Sequence, residues 1–130
     1  MMRTTGRSLR LLITLAGAVL LPACNAVTTV DDLFLNDINN VWPEEGNTAH
    51  VFFFQPSQSG KVSESTFTGT ETLAVRTTPA DLEGSFKNRD IHFTVKRSAG
   101  NVEFTGTFRD ENVIDLRSQG RTLVVRRSQQ

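Results

Sequence analysis

Tyrosine is absent from this chain of 130 residues, cysteine and tryptophan occur once each, histidine twice and proline four times. Each scarcity excludes something. The lone Cys24 has no partner for an internal disulfide, and a catalytic thiol would need a base arranged beside it. His50 and His92 stand without an HExxH, a CxxC or a close Asp/His cluster, so no zinc centre is expected. No GxSxG elbow and no glycine-rich phosphate loop is present. The neighbouring carboxylates Asp31-Asp32 and Glu44-Glu45 lie in loop-like contexts, where solvation is their ordinary state. No catalytic residue, metal ligand or cofactor is therefore expected, and the chain reads as a non-enzyme. By alternation His92 falls on a polar strand face and His50 at the boundary of an apolar strand.

Long hydrophobic runs are also missing. The longest, Leu11 to Ala23, has 13 uncharged residues, fewer than the roughly 17–25 of a spanning helix. It follows Arg3, Arg7 and Arg10, and no acidic residue precedes Asp31. A basic start, a short apolar helix-forming stretch and a small residue at its end make a secretory signal peptide. A buried N-terminal helix is the competing reading, but this run has no polar face to meet solvent.

The residues that end the run, Leu21-Pro22-Ala23-Cys24, resemble the lipobox of bacterial lipoproteins. The resemblance implies that residues 1–23 are removed and that Cys24 is acylated as the first residue of the mature chain. Asn25, where aspartate would signal retention in the inner membrane, implies an outer-membrane anchor with the domain facing the periplasm. At about 0.8 kcal/mol per buried methylene, two or three acyl chains would hold the protein on the membrane almost permanently.

Lys+Arg and Asp+Glu number 14 each, but three of the bases lie in the leader, so the mature chain carries a charge of −3. Asn25–Glu71 has seven acids against Lys61 alone, and the remainder has ten bases against seven acids. Two oppositely charged halves complement each other within one fold. No strongly basic face emerges, so a nucleic-acid partner is not expected.

Three regions follow: the leader 1–23; a stretch 24–48 holding the lipidated cysteine, a tether and a first element; and an antiparallel β domain over 49–130. In the second, Thr28 with Asp31 and Thr29 with Asp32 have capping-box spacing and predict a short helix around 30–41, ended by Pro43 and Gly46. In the third, apolar residues alternate with polar ones in short runs about ten residues apart, separated by turns such as "KNRD", "RSAGN" and "RSQG". About seven strands are legible. The fold class is all-β, a single antiparallel meander that forms a small barrel or strongly curved sheet, because no stretch is long enough for helical crossovers. "TFTGTE" (66–71) and "EFTGTF" (103–108) place Gly69 and Gly106 at inward positions, where a strand bends or lies under a neighbouring ring.

In pattern the mature domain is similar to lipocalin-like barrels. Asn40-Val41-Trp42 stands where those proteins carry Gly-x-Trp, with Asn40 in place of the glycine. In such a barrel Phe52, Phe54, Phe86, Phe93, Phe104 and Phe108 either fill the core or line a ligand cavity. Arg126 and Arg127 either touch anionic lipid head groups or guard an edge strand. Two functions follow as expectations: an interaction module for an envelope protein or cell-wall partner, or a carrier of a lipid-like apolar ligand.

Overall fold

The computed structural model describes residues 33–76 and 78–129. Residues 1–32, which hold the expected leader and Cys24, lie outside the described residues. Eight strands follow one another: β1 (Asn40–Glu44), β2 (Asn47–Pro56), β3 (Glu64–Thr72), β4 (Ala80–Lys87), β5 (Asp90–Arg97), β6 (Gly100–Asp110), β7 (Val113–Ser118) and β8 (Arg121–Arg126). Each pairs antiparallel with the next, and β1 meets β8, so the meander closes into a barrel. The closing seam is short. Glu44 stands opposite Val125, and backbone hydrogen bonds run from Glu45 N to Val124 O at 2.7 Å and from Ser128 N to Val41 O at 2.9 Å.

Period-2 patterning sets the two faces. Phe52 and Phe54, Leu82 and Phe86, Ile91, Phe93 and Val95, and Val102, Phe104 and Phe108 are buried inside. The outward positions between them on β3–β6, including Thr66, Thr68, Glu83, His92, Glu103 and Thr105, are exposed and polar. A membrane-spanning barrel would carry its apolar band on that outer face, so these strands have the reverse polarity. Sharp turns fit the twist of the strands. Gln119 and Gly120 both adopt positive φ (51° and 77°), the two-residue hairpin geometry that suits right-twisted strands.

Tight curvature rests on three inward glycines. Gly69 lies opposite Phe54 and Leu82, Gly84 opposite Phe67 and Phe93, and Gly106 opposite Ile91 and Leu116. A Cβ at Gly69 would collide with the carbonyl of Phe53, at Gly84 with that of His92, and at Gly106 with that of Asp115. Neighbouring strands close on the space that a side chain would occupy, as at bends in a small barrel.

Two expectations need correction. The helix around 30–41 does not form over 33–39; Phe34, Asn36 and Ile38 are buried in alternation on an extended segment, which bridges Asn36 to Val62. Burying those three side chains on one face outweighs the capping signals, which lie in residues outside the described part. The described residues also form eight strands, not about seven. The missed one, β1, contains Pro43, and its register shifts between Pro43 and Glu44, the kind of irregular position that tolerates a residue with no N–H. β1 and the start of β2 thus fall within the stretch 24–48.

Segment 33–39 plugs one end of the barrel, here called the base. Phe34 packs on Phe108 at 5.4 Å between ring centroids, and Trp42 donates its indole N–H to Ile38 O at 3.1 Å. Arg89 stacks over Phe34 at 4.3 Å and Arg127 over Trp42 at 4.6 Å. The opposite end, the mouth, is rimmed by the β1–β2, β3–β4, β5–β6 and β7–β8 turns.

Candidate functional site

The six phenylalanines expected to fill a core or line a cavity pack against one another. Phe93 lies at the centre, with ring centroids 5.4 Å from Phe52, 5.3 Å from Phe54, 6.0 Å from Phe67 and 5.0 Å from Phe104. Phe86 meets Phe108 edge-on at 5.8 Å. All six are at most 2% exposed. An eight-stranded barrel is just wide enough for side chains to fill, and these rings fill it.

Polar chemistry gathers at the mouth. Alternation turns His50 of β2, Glu71 of β3 and Arg97 of β5 inward, and Glu71 is fully buried. Its two oxygens take four hydrogen bonds. Oε2 accepts from His50 Nε2 and Arg97 Nη2, both at 2.7 Å; Oε1 accepts from Arg97 Nε at 2.9 Å and from Arg76 Nη2 at 2.7 Å. A carboxylate has about four lone-pair positions, so Glu71 is saturated. On its other side His50 donates from Nδ1 to Glu44 Oε1 at 2.7 Å. Both ring nitrogens face carboxylate oxygens, a setting that favours the doubly protonated imidazolium, in which no lone pair is left to act as a base.

The pKa directions follow from these contacts. Burial would lower that of His50, but hydrogen bonds to Glu71 and Glu44, together with their charges, outweigh it and raise the pKa above 6.5. Burial would raise that of Glu71, but hydrogen bonds from His50 and Arg97 outweigh it and bring the carboxyl from 4.5 down to about 2. By linkage, the contribution of Glu71 is complete above 4.5 and is lost as pH falls toward 2. That of His50 is complete below 6.5 and is lost as pH rises through its folded value. Stability against urea should therefore peak between about pH 4.5 and 6.5 and fall on the alkaline side. A His50→Gln variant should lose that alkaline fall, and an unchanged slope in the variant would show that His50 does not cause it.

The remaining candidates have plainer positions. His92 is exposed and shares a 3.1 Å hydrogen bond with Ser85. It borders a groove of about 750 Å³ on the outer face of β2–β5, with Gln55, Ser57, Thr66, Thr68, Glu83 and Thr94, above Gly84. The groove is the outer side of the bend at Gly84, and its hydroxyls pair among neighbours: Ser57 with Thr66 at 2.8 Å, and Thr94 with Glu103 at 2.6 Å. Glu45, read as solvated, pairs with Arg126 at 2.9 Å. Arg127 neither projects to solvent nor guards an open edge. It lies over Trp42 and donates Nη2 to Asn36 Oδ1 at 2.9 Å and to Glu111 O at 2.7 Å.

Sequence reasoning placed His50 at a strand boundary and did not single out Glu71, Arg76 or Arg97. A signal was present: the parity that makes Phe67, Phe93 and Phe52 inward makes Glu71, Arg97 and His50 inward too. Among the described residues, no group of three or more His, Cys, Asp or Glu is arranged to hold a metal ion. Comparison of the chain with protein-family models, with curated proteins and with solved structures gave no match in any of the three.

Proposed function

We propose that this chain is a non-enzymatic interaction module of the bacterial cell envelope, anchored by acyl chains on Cys24, that meets a protein or cell-wall partner on the outside of its barrel. One observation carries the reading: the interior is occupied by aromatic rings with centroids 5.0–6.1 Å apart, so binding surface exists outside. The alternative, an apolar ligand carried inside, needs a hollow where those rings meet. The anchor reading rests on Leu21-Pro22-Ala23-Cys24 behind its apolar run. An outer-membrane position facing the periplasm follows from Asn25 in the same motif.

Native mass spectrometry of the protein extracted from bacterial membranes tests both halves. The expected species is an acylated chain beginning at Cys24, with no mass lost on organic extraction other than detergent and lipid. An intact leader would overturn the anchor, and an extractable apolar molecule bound stoichiometrically would overturn the filled interior. Photoreactive residues at outward positions 68, 75 and 122, crosslinked in cells, should then capture a partner from at least one position.

A further inference from the structure

Two guanidinium groups converge on one carboxylate at the mouth, and the charges there do not cancel. Glu44 and the His50 imidazolium balance each other. Glu71 is then left against both Arg76 and Arg97, which gives this five-residue cluster a net charge of +1 when His50 is protonated. Glu71 has no acceptor position left, since four donors already fill it. Arg97 uses Nε and Nη2 on it, and Arg76 uses Nη2 alone. The Nε of Arg76 is buried and has no hydrogen-bond partner among the described residues. Spare N–H donors on two guanidiniums therefore lie at a mouth where their side chains remain 21% and 26% exposed. Arg76 Nε, buried and unpaired, is costly as it stands, and the part-exposed N–H groups beside it give an arriving acceptor a place to bind.

The turn beside Arg76 has an apolar tip. Arg76 N bonds back to Leu73 O at 3.0 Å and closes a tight turn, 73–76. That turn presents Val75 at 90% exposure, while the ion pair of Arg76 with the buried Glu71 clamps its base. The outer groove at Gly84 offers no comparable demand, because its hydroxyls largely satisfy one another. We propose that the mouth binds a carboxylate, with Arg76 and Arg97 as its donors and Val75 as an apolar contact beside it. The chemistry fits the carboxylate of a peptide that carries a small apolar side chain. This rests on the exterior-contact reading above and names the chemistry of that contact.

The test is calorimetric titration of the full chain in detergent micelles, at constant ionic strength, with N-acetyl-alanyl-alanine as the probe. Its C-terminal amide and acetate serve as the other arms. The acid is expected to bind saturably and at least about tenfold more tightly than the amide, the factor expected for a hydrogen bond to a charged group. Arg76→Gln should remove about that factor, and Arg76→Lys should retain part of it as a point charge. If Arg76→Gln proves too unstable, Val75→Asp serves instead; its exposed site carries no packing, and the new carboxylate should weaken the acid's binding. Acetate binding as tightly as the peptide acid would support the site and assign it to free organic acids; tighter peptide binding assigns it to peptide ends. Equal affinity for acid and amide, or unchanged affinity in Arg76→Gln and Val75→Asp, would overturn the proposal. The exterior-contact reading would still stand if crosslinking captures a partner.

Discussion

Replacing Glu71 by glutamine is expected to cost about 3–5 kcal/mol, the usual result of removing one partner from a buried ion pair. The isosteric amide keeps the volume but loses the charge, and its NH2 group faces donors instead of accepting from them. Three cationic groups, His50, Arg97 and Arg76, then lose the negative charge and one of the two acceptor oxygens that hold them at 2.7–2.9 Å. For a domain of this size each kcal/mol moves Tm by roughly 4–8 °C, so a fall of more than ~12 °C should be seen. Against a total stability on the order of 5–15 kcal/mol, such a loss is a large fraction. The penalty belongs to the stranded charges more than to the lost attraction. A variant that replaces the whole cluster, Glu71→Leu, His50→Leu and Arg97→Met with Glu44→Gln and Arg76→Met, leaves none of these charges stranded and should therefore recover much of it. Urea unfolding of the two variants checks this. A loss below about 1 kcal/mol in Glu71→Gln would mean that water entering the mouth rehydrates the arginines freely.

The same cluster shows what alternation in a sequence reveals and what it conceals. On β3 the period-2 pattern runs Ser65, Phe67, Gly69, Glu71, all on the inner side. Composition draws the eye to the phenylalanine and the glycine and makes an inward glutamate look like the end of the strand. The β2–β3 pairing sets His50, 21 residues earlier, beside Glu71, and the curvature of the sheet brings in Arg97, 26 residues later, from β5. Pairings across three strands cannot be read from a one-dimensional pattern. The meander itself was legible, because each hairpin from β4 to β8 has apolar alternation and a turn of its own. The glycines in the two Phe-Thr-Gly-Thr stretches were legible as inward bends for the same reason. β1 was not, since five residues that include Pro43 and a register shift carry too little alternation. The segment 33–39 misled in a different way. Its Phe34 and Ile38, four apart, suit a helix face, while Phe34, Asn36 and Ile38, two apart, suit an extended chain. The open end of the barrel decides, because an extended plug reaches across it and bonds to Val62.

Truncating Phe93 to alanine should cost about 3–5 kcal/mol, and its value lies in what takes the ring's place. Phe93 is fully buried and touches four other rings, Phe52, Phe54, Phe67 and Phe104, the last stacked at an interplanar angle of 7°. Stacked and edge-on pairs add roughly 0.5–1.5 kcal/mol each beyond area burial, so this site belongs at the upper end of the range. Gly84 faces Phe93 across the β4–β5 pair, and its backbone cannot approach further to fill the gap. Partial collapse therefore leaves an apolar cavity, and apolar cavities of this kind stay dry and accept small aromatic molecules. Benzene should consequently raise the Tm of Phe93→Ala in a concentration-dependent way while leaving the parent chain unmoved. Stabilisation of the parent chain by benzene to the same extent would mean that the interior already holds space, and the ligand-carrier reading would regain its footing. A parent chain indifferent to benzene beside a variant that binds it would make a filled interior the native state. The partner would then have to be sought at the mouth and on the outer face.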